Sequence, residues 1–155
     1  MKLLIISDSH GSKRFATGIS KHIKQKGPFD YLIHCGDGLT DLDMMDVPCP
    51  VISVRGNCDL FATAPEKTVL KTDACTIFIT HGHLFSVKRT LSQLSSAAKT
   101  AQCAIALYGH THQQGMNYID SVYCINPGAL NNGQFAELTF NQENKPIPVF
   151  FNLTD

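Results

Sequence analysis

Five short segments of this chain carry side chains that can bind a divalent cation. They are Asp8-Ser9-His10-Gly11, Gly36-Asp37, Gly56-Asn57-Cys58-Asp59, His81-Gly82-His83 and Gly109-His110-Thr111-His112. Taken singly, each has an ordinary explanation. Asp-x-His can be a solvated turn, Asp after Gly is common turn chemistry, and Asn57 can cap a helix or sit in left-handed backbone. The two His-x-His segments are harder to dismiss, because that pair in a loop after a strand has few structural uses. Five of the seven histidines lie in these segments. Each segment also carries glycine, which lets the chain turn sharply and leaves space for a ligand.

The elements that must position these residues are short apolar runs. Leu3–Ser7 reads as a strand buried on both faces and runs into Asp8. A helix follows over about residues 12–26, with Phe15, Ile19, His22 and Ile23 at helical spacing, and Gly27-Pro28 stops it. Tyr31–Cys35 and Val51–Val54 are two further strands, ending at the Gly36-Asp37 and Gly56-Asn57 segments. This strand–helix–strand opening predicts a right-handed crossover and a parallel sheet. Thr68–Lys71 and Thr76–Thr80 flank the polar turn Thr72-Asp73, and the second of them leads into His81. A helix over about 87–101 presents Val87, Leu91, Leu94 and Ala98 on one face. Ala104–Tyr108 then leads to Gly109. Four strands close the chain, at Gly115–Ile119, Val122–Asn126, Gln134–Phe140 and Pro148–Leu153, with a hairpin turn at Asp120-Ser121. All five cation-binding segments therefore follow strands, and the carboxyl ends of parallel strands converge on one crevice. The expected fold is α/β: a four-layer αββα sandwich of two mixed sheets with helices outside, one domain over 1–155.

The donor types narrow the chemistry. Carboxylate, imidazole and amide together suit Mn²⁺, Fe²⁺, Zn²⁺ or Ni²⁺. The donors suffice for two ions, and two ions about 3.5–4 Å apart form a clamp for in-line attack on phosphorus. None of the six cysteines forms a Cys-x-x-Cys pair, which argues against a closed structural zinc site. Cys35, Cys75, Cys103 and Cys124 lie in or beside apolar runs and read as small hydrophobes in a reducing compartment. Composition sets further bounds. The chain has 155 residues, 43% hydrophobic and 17% charged, with zero net charge. The basic excess of a non-specific nucleic-acid binder is missing. No apolar stretch approaches the ~20 residues of a membrane span, and the apolar start reaches Asp8 too soon for a signal peptide. The expected location is cytoplasmic.

The order Asp-x-His, Gly-Asp, Gly-Asn-x-Asp, His-Gly-His, Gly-His-Thr-His resembles the calcineurin-like metallophosphoesterase superfamily. With Gly-Asn-Cys-Asp, Thr-His-Gly-His and Asn126-Pro127-Gly128, it most resembles the small single-domain YfcE-type phosphodiesterase branch. The resemblance runs from Lys2 to about Gly128. It implies that Asp8, His10 and His112 bind one metal ion, that Asn57, His81 and His110 bind a second, and that Asp37 bridges them. It further implies that a bridging water is the nucleophile, and that Asn57 and the ions, Mn²⁺ foremost, hold the phosphate oxygens of a small phosphoester. His83 is expected near the site and outside the ligand set.

One position departs from many superfamily members, which carry a proton-donating His after the Asn. Cys58 stands there, a poor replacement in pKa and reach, so esters with good leaving groups are expected to be favoured. Asp59 is expected to be structural. The acidic loop from Gly38 to Pro50, with Asp41, Asp43 and Asp46, reads as a solvated turn. Other readings are a non-catalytic scaffold like a retromer subunit of the same fold, a phosphomonoesterase and a nuclease. The β-rich C-terminal segment leaves an edge through which copies of the chain could pair.

Overall fold

A computed structural model describes residues 1–73 and 75–153. Residue 74, beside the expected Thr72-Asp73 turn, and residues 154–155, at the end of the expected domain, lie outside the described residues. Ten strands form two five-stranded mixed sheets. In the first, β1 (Leu3–Ile6), β2 (Tyr31–His34) and β3 (Val51–Ser53) run parallel. β9 (Gln134–Phe140) pairs antiparallel with β1, and β10 (Pro146–Asn152) with β9. In the second, β5 (Thr76–Thr80), β6 (Ile105–Leu107) and β8 (Val122–Asn126) are parallel. β4 (Lys67–Lys71) and β7 (Gly115–Ile119) close its edges antiparallel.

The apolar runs divide their residues between two faces, as a strand's alternation requires. Leu3 and Ile5 of β1, Ile33 of β2, Ile77 and Ile79 of β5 and Leu107 of β6 meet in the core between the sheets. Leu4 and Ile6 face the other way, onto Ala16, Ile19 and Ile23 of helix α1 (Lys13–Lys26). Phe78 and Ala106 face Leu94 and Ala98 of helix α2 (Ser92–Thr100). Helix, sheet, sheet and helix thus stack in four layers, as expected.

Three features differ from the sequence-based expectation or settle what it left open. First, α2 begins at Ser92 and not near Val87. Ser86 adopts a left-handed φ of 51°, and the Thr90 hydroxyl accepts the Ser92 N–H, which starts the helix five residues later. Val87 nevertheless joins the same apolar cluster. Second, the four C-terminal strands, whose sheet the sequence left open, divide between the two sheets. β7 and β8 stay in the second sheet, while the chain crosses at 127–133 to pair β9 with β1. Third, the acidic loop is not a solvated turn throughout. Leu39–Met44 forms a short 3-10 helix, and Asp41 is buried with its carboxylate accepting the Gly11 N–H at 2.7 Å. A buried carboxylate needs such a donor, and the turn after His10 supplies it. Asp46 does remain exposed, 2.8 Å from Lys24.

β10 is the edge strand expected near the C-terminus. Pro146 and Pro148 remove two of its backbone donors, which blunts it for pairing. Among the described residues, no helix is long and apolar enough to cross a membrane.

Candidate metal centre

The parallel strands of both sheets end at the same edge of the sandwich, and cross-strand hydrogen bonds bind their end loops together. Asp8 N–H donates to Gly36 C=O, and Ser9 N–H to Asp37 C=O, each at 2.9 Å. Gly109 N–H donates to His81 C=O at 3.0 Å. The two sheets are tied by His81 Nδ1, 2.8 Å from Cys35 C=O, and by His110 N–H, 3.0 Å from Asp8 Oδ2. Close approach depends on glycine at two points. A Cβ on Gly109 would overlap Ser7 Oγ and lie 2.7 Å from Asp8 Oδ2, and one on Gly56 would overlap Asp37 Oδ1.

Backbone strain concentrates here. Asp8, His10, Asp37, His110 and His112 all hold φ between 46° and 69°. Non-glycine residues rarely adopt this region, and such strain persists only where surrounding structure imposes it, typically at functional sites.

The side chains gather in two donor clusters whose ligand atoms lie within 4.8 Å of one another: Asp8, His10 and His112, and Asp37, His81 and His110. A third joins His10 and Asp37 to Cys58 and so links the two. Asp8 Oδ1 lies 3.0 Å from His112 Nε2, 3.8 Å from His10 Nε2 and 4.0 Å from His81 Nε2. Asp8 Oδ2 is occupied by Ser7 Oγ at 2.6 Å and the His110 N–H. Asp37 Oδ1 accepts the Cys58 N–H at 2.8 Å, while Oδ2 faces His81 Nε2 at 3.3 Å. Asn57 stands exposed at the mouth, its amide nitrogen 3.3 Å from Cys58 Sγ. His83 is adjacent, its ring centroid 5.5 Å from His81 and 6.2 Å from His110.

These residues fit divalent metal. Asp8 and Asp37 are buried, and neither is paired with Lys or Arg among the described residues. Burial opposes ionisation of Asp37, yet His81 and the Cys58 N–H hold its carboxyl well below the usual range. His81 donates its Nδ1–H to Cys35 C=O, leaving the Nε2 lone pair aimed between the carboxylates. That Nε2 is buried without a well-aligned hydrogen bond, 3.3 Å from Asp37. Against the effect of burial, the Asp37 and Asp8 carboxylates raise the imidazole above its ordinary pKa, so this nitrogen carries a cation there, a proton or a metal. Burial, His81 and Lys88 lower His110 to about 4, so its imidazole is neutral and free to ligate at pH 7. Buried carboxylates without a counter-charge are costly, and a cation between these donors removes both that cost and the orphaned nitrogen.

Other residues support the donor loops, and the sequence assigned no role to Asn126 or His34 among them. Asn126, fully buried at the end of β8, donates to Gly109 C=O and Thr111 Oγ1 at 2.9 and 3.0 Å and accepts the Gly128 N–H. It fixes the loop carrying His110 and His112; its place in Asn-Pro-Gly was the available signal. Asp59 is structural, as expected: its carboxylate accepts the backbone N–H groups of Asp37, Gly38, Leu39 and Gly56.

His34 lies fully buried beneath the site, hidden in an apolar run that gave no signal. Its Nδ1 accepts the Gly36 N–H at 3.1 Å, so Nε2–H points to Ser9 Oγ at 3.3 Å, and Ser9 donates on to Gly38 C=O. Burial lowers its pKa to about 4, against an ordinary value of 6.5. The unfolded chain therefore binds this proton more readily, and the group's stabilising contribution is lost as pH falls from 6.5 toward 4. The expected loss between pH 7 and 5 is about 2 kcal/mol. Urea unfolding of metal-free protein should show it in the wild type and show a smaller loss in His34→Gln.

Comparison with known proteins places the chain in a family. Residues 1–141 match the family model of the calcineurin-like phosphoesterase superfamily domain. A probable metallophosphoesterase of Bacillus subtilis, YsnB, is 32% identical over 130 residues, covering 84% of this chain and 75% of YsnB. The phosphodiesterase YfcE of Escherichia coli K12 is 30% identical over 156 residues, covering 84% and 80%. The zinc-complexed Vps29 of Entamoeba histolytica shares the fold, with a TM-score of 0.75 at 19% identity over 98% of this chain and 99% of that one. With its donor set at one sheet edge and its sequence matched over most of its length, the chain belongs to the calcineurin-like phosphoesterase superfamily.

Proposed function

We propose that the protein is a metal-dependent phosphodiesterase acting on small phosphodiesters at a dinuclear centre. Asp8, His10 and His112 would hold one ion, Asn57, His81 and His110 the other, and Asp37 would be shared between them. Mn²⁺ is the foremost candidate, with Ni²⁺, Fe²⁺ and Zn²⁺ as other occupants. When bound, the ions supply Lewis acidity and a water of lowered pKa as nucleophile. The observation that carries this reading is the pair of buried carboxylates, with histidines and no Lys or Arg as partners among the described residues, facing the buried His81 Nε2.

The chain's own groups then set the reach of the chemistry. Asn57, beside the ions, would bind a phosphate oxygen and stabilise its developing charge. Cys58 is a weak proton donor, because the Asp37 carboxylate beside it pushes the thiol above its ordinary range. A leaving group must therefore depart largely unprotonated, which selects aryl over alkyl esters. The described cysteines are free thiols, in keeping with a reducing, cytoplasmic setting.

A screen of divalent ions against aryl and alkyl phosphodiesters and monoesters tests this. Chelator-stripped protein should be inactive, Mn²⁺ should restore hydrolysis of bis(p-nitrophenyl) phosphate, and alkyl diesters should be slow. A scaffolding role is the second reading, favoured by the fold shared with Vps29. It would take over if metal-loaded protein hydrolysed nothing in the panel.

A further inference from the structure

Beside the metal centre, a cavity of about 360 Å³ opens between the turn after β2 and the turn after β3. Its inner end is formed by His10 and Cys58, both members of the donor cluster that includes Asp37. Its outer wall is Leu39, Leu60, Phe61 and Ala62. Leu60 is 75% exposed and Phe61 98% exposed. Single exposed apolar side chains are ordinary; here two adjacent ones line a cavity that reaches the donor cluster.

The wall is built rigidly. Asp59 lies one residue before Leu60, and its carboxylate takes N–H groups from both turns, from Asp37, Gly38 and Leu39 on one side and Gly56 on the other. Ala62 N–H closes the Leu60-Phe61 turn onto Asp59 C=O at 3.1 Å. The same contacts consume the Asp59 charge, so the cavity does not present a bare carboxylate to a ligand. No Lys or Arg is among its described lining residues. Such a space suits neither a second phosphate nor a cationic group.

We propose that this cavity is the specificity subsite and takes a flat, uncharged ring of the phosphoester substrate against the wall formed by Phe61 and Leu60. The inference rests on the phosphoesterase reading, because continuity with His10 and Cys58 is what places a phosphorus-borne ring here. Phe61 and Leu60 are specificity residues and take no part in bond making.

The test uses metal-loaded full-length protein and two phosphonates, compared at a pH above both second ionisations so that each is a dianion. Titration calorimetry should find phenylphosphonate bound about tenfold more tightly than methylphosphonate, as expected for covering on the order of 60 Å² of apolar surface. The double variant Leu60→Ser/Phe61→Ser should reduce that preference to about twofold and leave methylphosphonate affinity unchanged. Both side chains are solvent-exposed, so folding is not at stake. Leu84→Ser, at another exposed leucine, should keep the full preference. In parallel, the double variant should raise KM for bis(p-nitrophenyl) phosphate with kcat little changed.

If methylphosphonate binds and the diester is hydrolysed, but the ring confers no preference or the variant keeps it, the subsite is overturned and the phosphoesterase reading stands. If neither phosphonate binds and no ester is hydrolysed, the phosphoesterase reading fails and takes the subsite with it.

Discussion

Asp37→Asn is expected to lower kcat/KM for an aryl phosphodiester by more than about a thousandfold, a loss typical of removing a principal source of charge stabilisation. On the proposed dinuclear reading it should also lower bound metal from two ions per chain to one or fewer, read by elemental analysis. The substitution keeps the side chain's shape. The new amide oxygen can still accept the Cys58 N–H that Asp37 accepts at 2.8 Å. The amide nitrogen would then turn toward His81 Nε2, the nitrogen that now lacks a hydrogen bond 3.3 Å from Asp37 Oδ2. An amide N–H donated to that lone pair would satisfy it and block it as a ligand. The metal-free Asp37→Asn variant should therefore be at least as stable as metal-free wild type, which separates a ligand role from a merely structural one. Retention of two ions and full activity would refute the bridge.

The largest stability loss is expected for Asp59→Ala. One carboxylate holds four backbone N–H groups at 2.7–3.1 Å, drawn from both turns beside the site. Those bonds hold the Asp59 carboxyl below its ordinary pKa, against the opposing effect of burial. Removing the acceptor leaves donors that only partial solvent entry can satisfy, at a cost of about 3 kcal/mol. For a domain of this size that corresponds to a fall in Tm of roughly 6–12 °C. Because the carboxyl is depressed in the fold, its contribution is present above about pH 4 and lost as pH falls further. The difference in Tm between wild type and Asp59→Ala should therefore shrink in acid. Asp59→Asn should fall between the two, since its single oxygen can keep only part of the set. A Tm unchanged in Asp59→Ala would mean that the two turns hold themselves.

The sequence by itself determined the two kinds of structure that local rules dictate. Strands at Thr76–Thr80, Gly115–Ile119, Val122–Asn126 and Gln134–Phe140 have the boundaries expected from apolar runs bounded by turn residues. Asp120 and Ser121 both take positive φ, as a tight hairpin requires. The donor residues were legible for the same reason: each follows a strand directly, and parallel strands share a direction. Asp8, His10, Asp37, His81, His110 and His112 accordingly meet at one edge.

Tertiary structure decided what depends on distant partners. Nothing local marks β9 and β10 for the first sheet instead of the second; Leu3 and Ile5 supply the face that accepts Leu138 and Ala136. Asp41 looked solvated because its partner, the Gly11 N–H, is 30 positions away. His34 looked like one more residue of an apolar strand, yet its ring joins the turns at Ser9 and Gly36. Asn126 likewise acts through the backbone of another strand end, and Asp59, read as structural from the sequence, has its partners named only by the fold. Residue type and spacing name the groups that can bind metal. The groups that hold them in place bond to backbone, which every residue carries alike, so only the folded chain shows which ones they are.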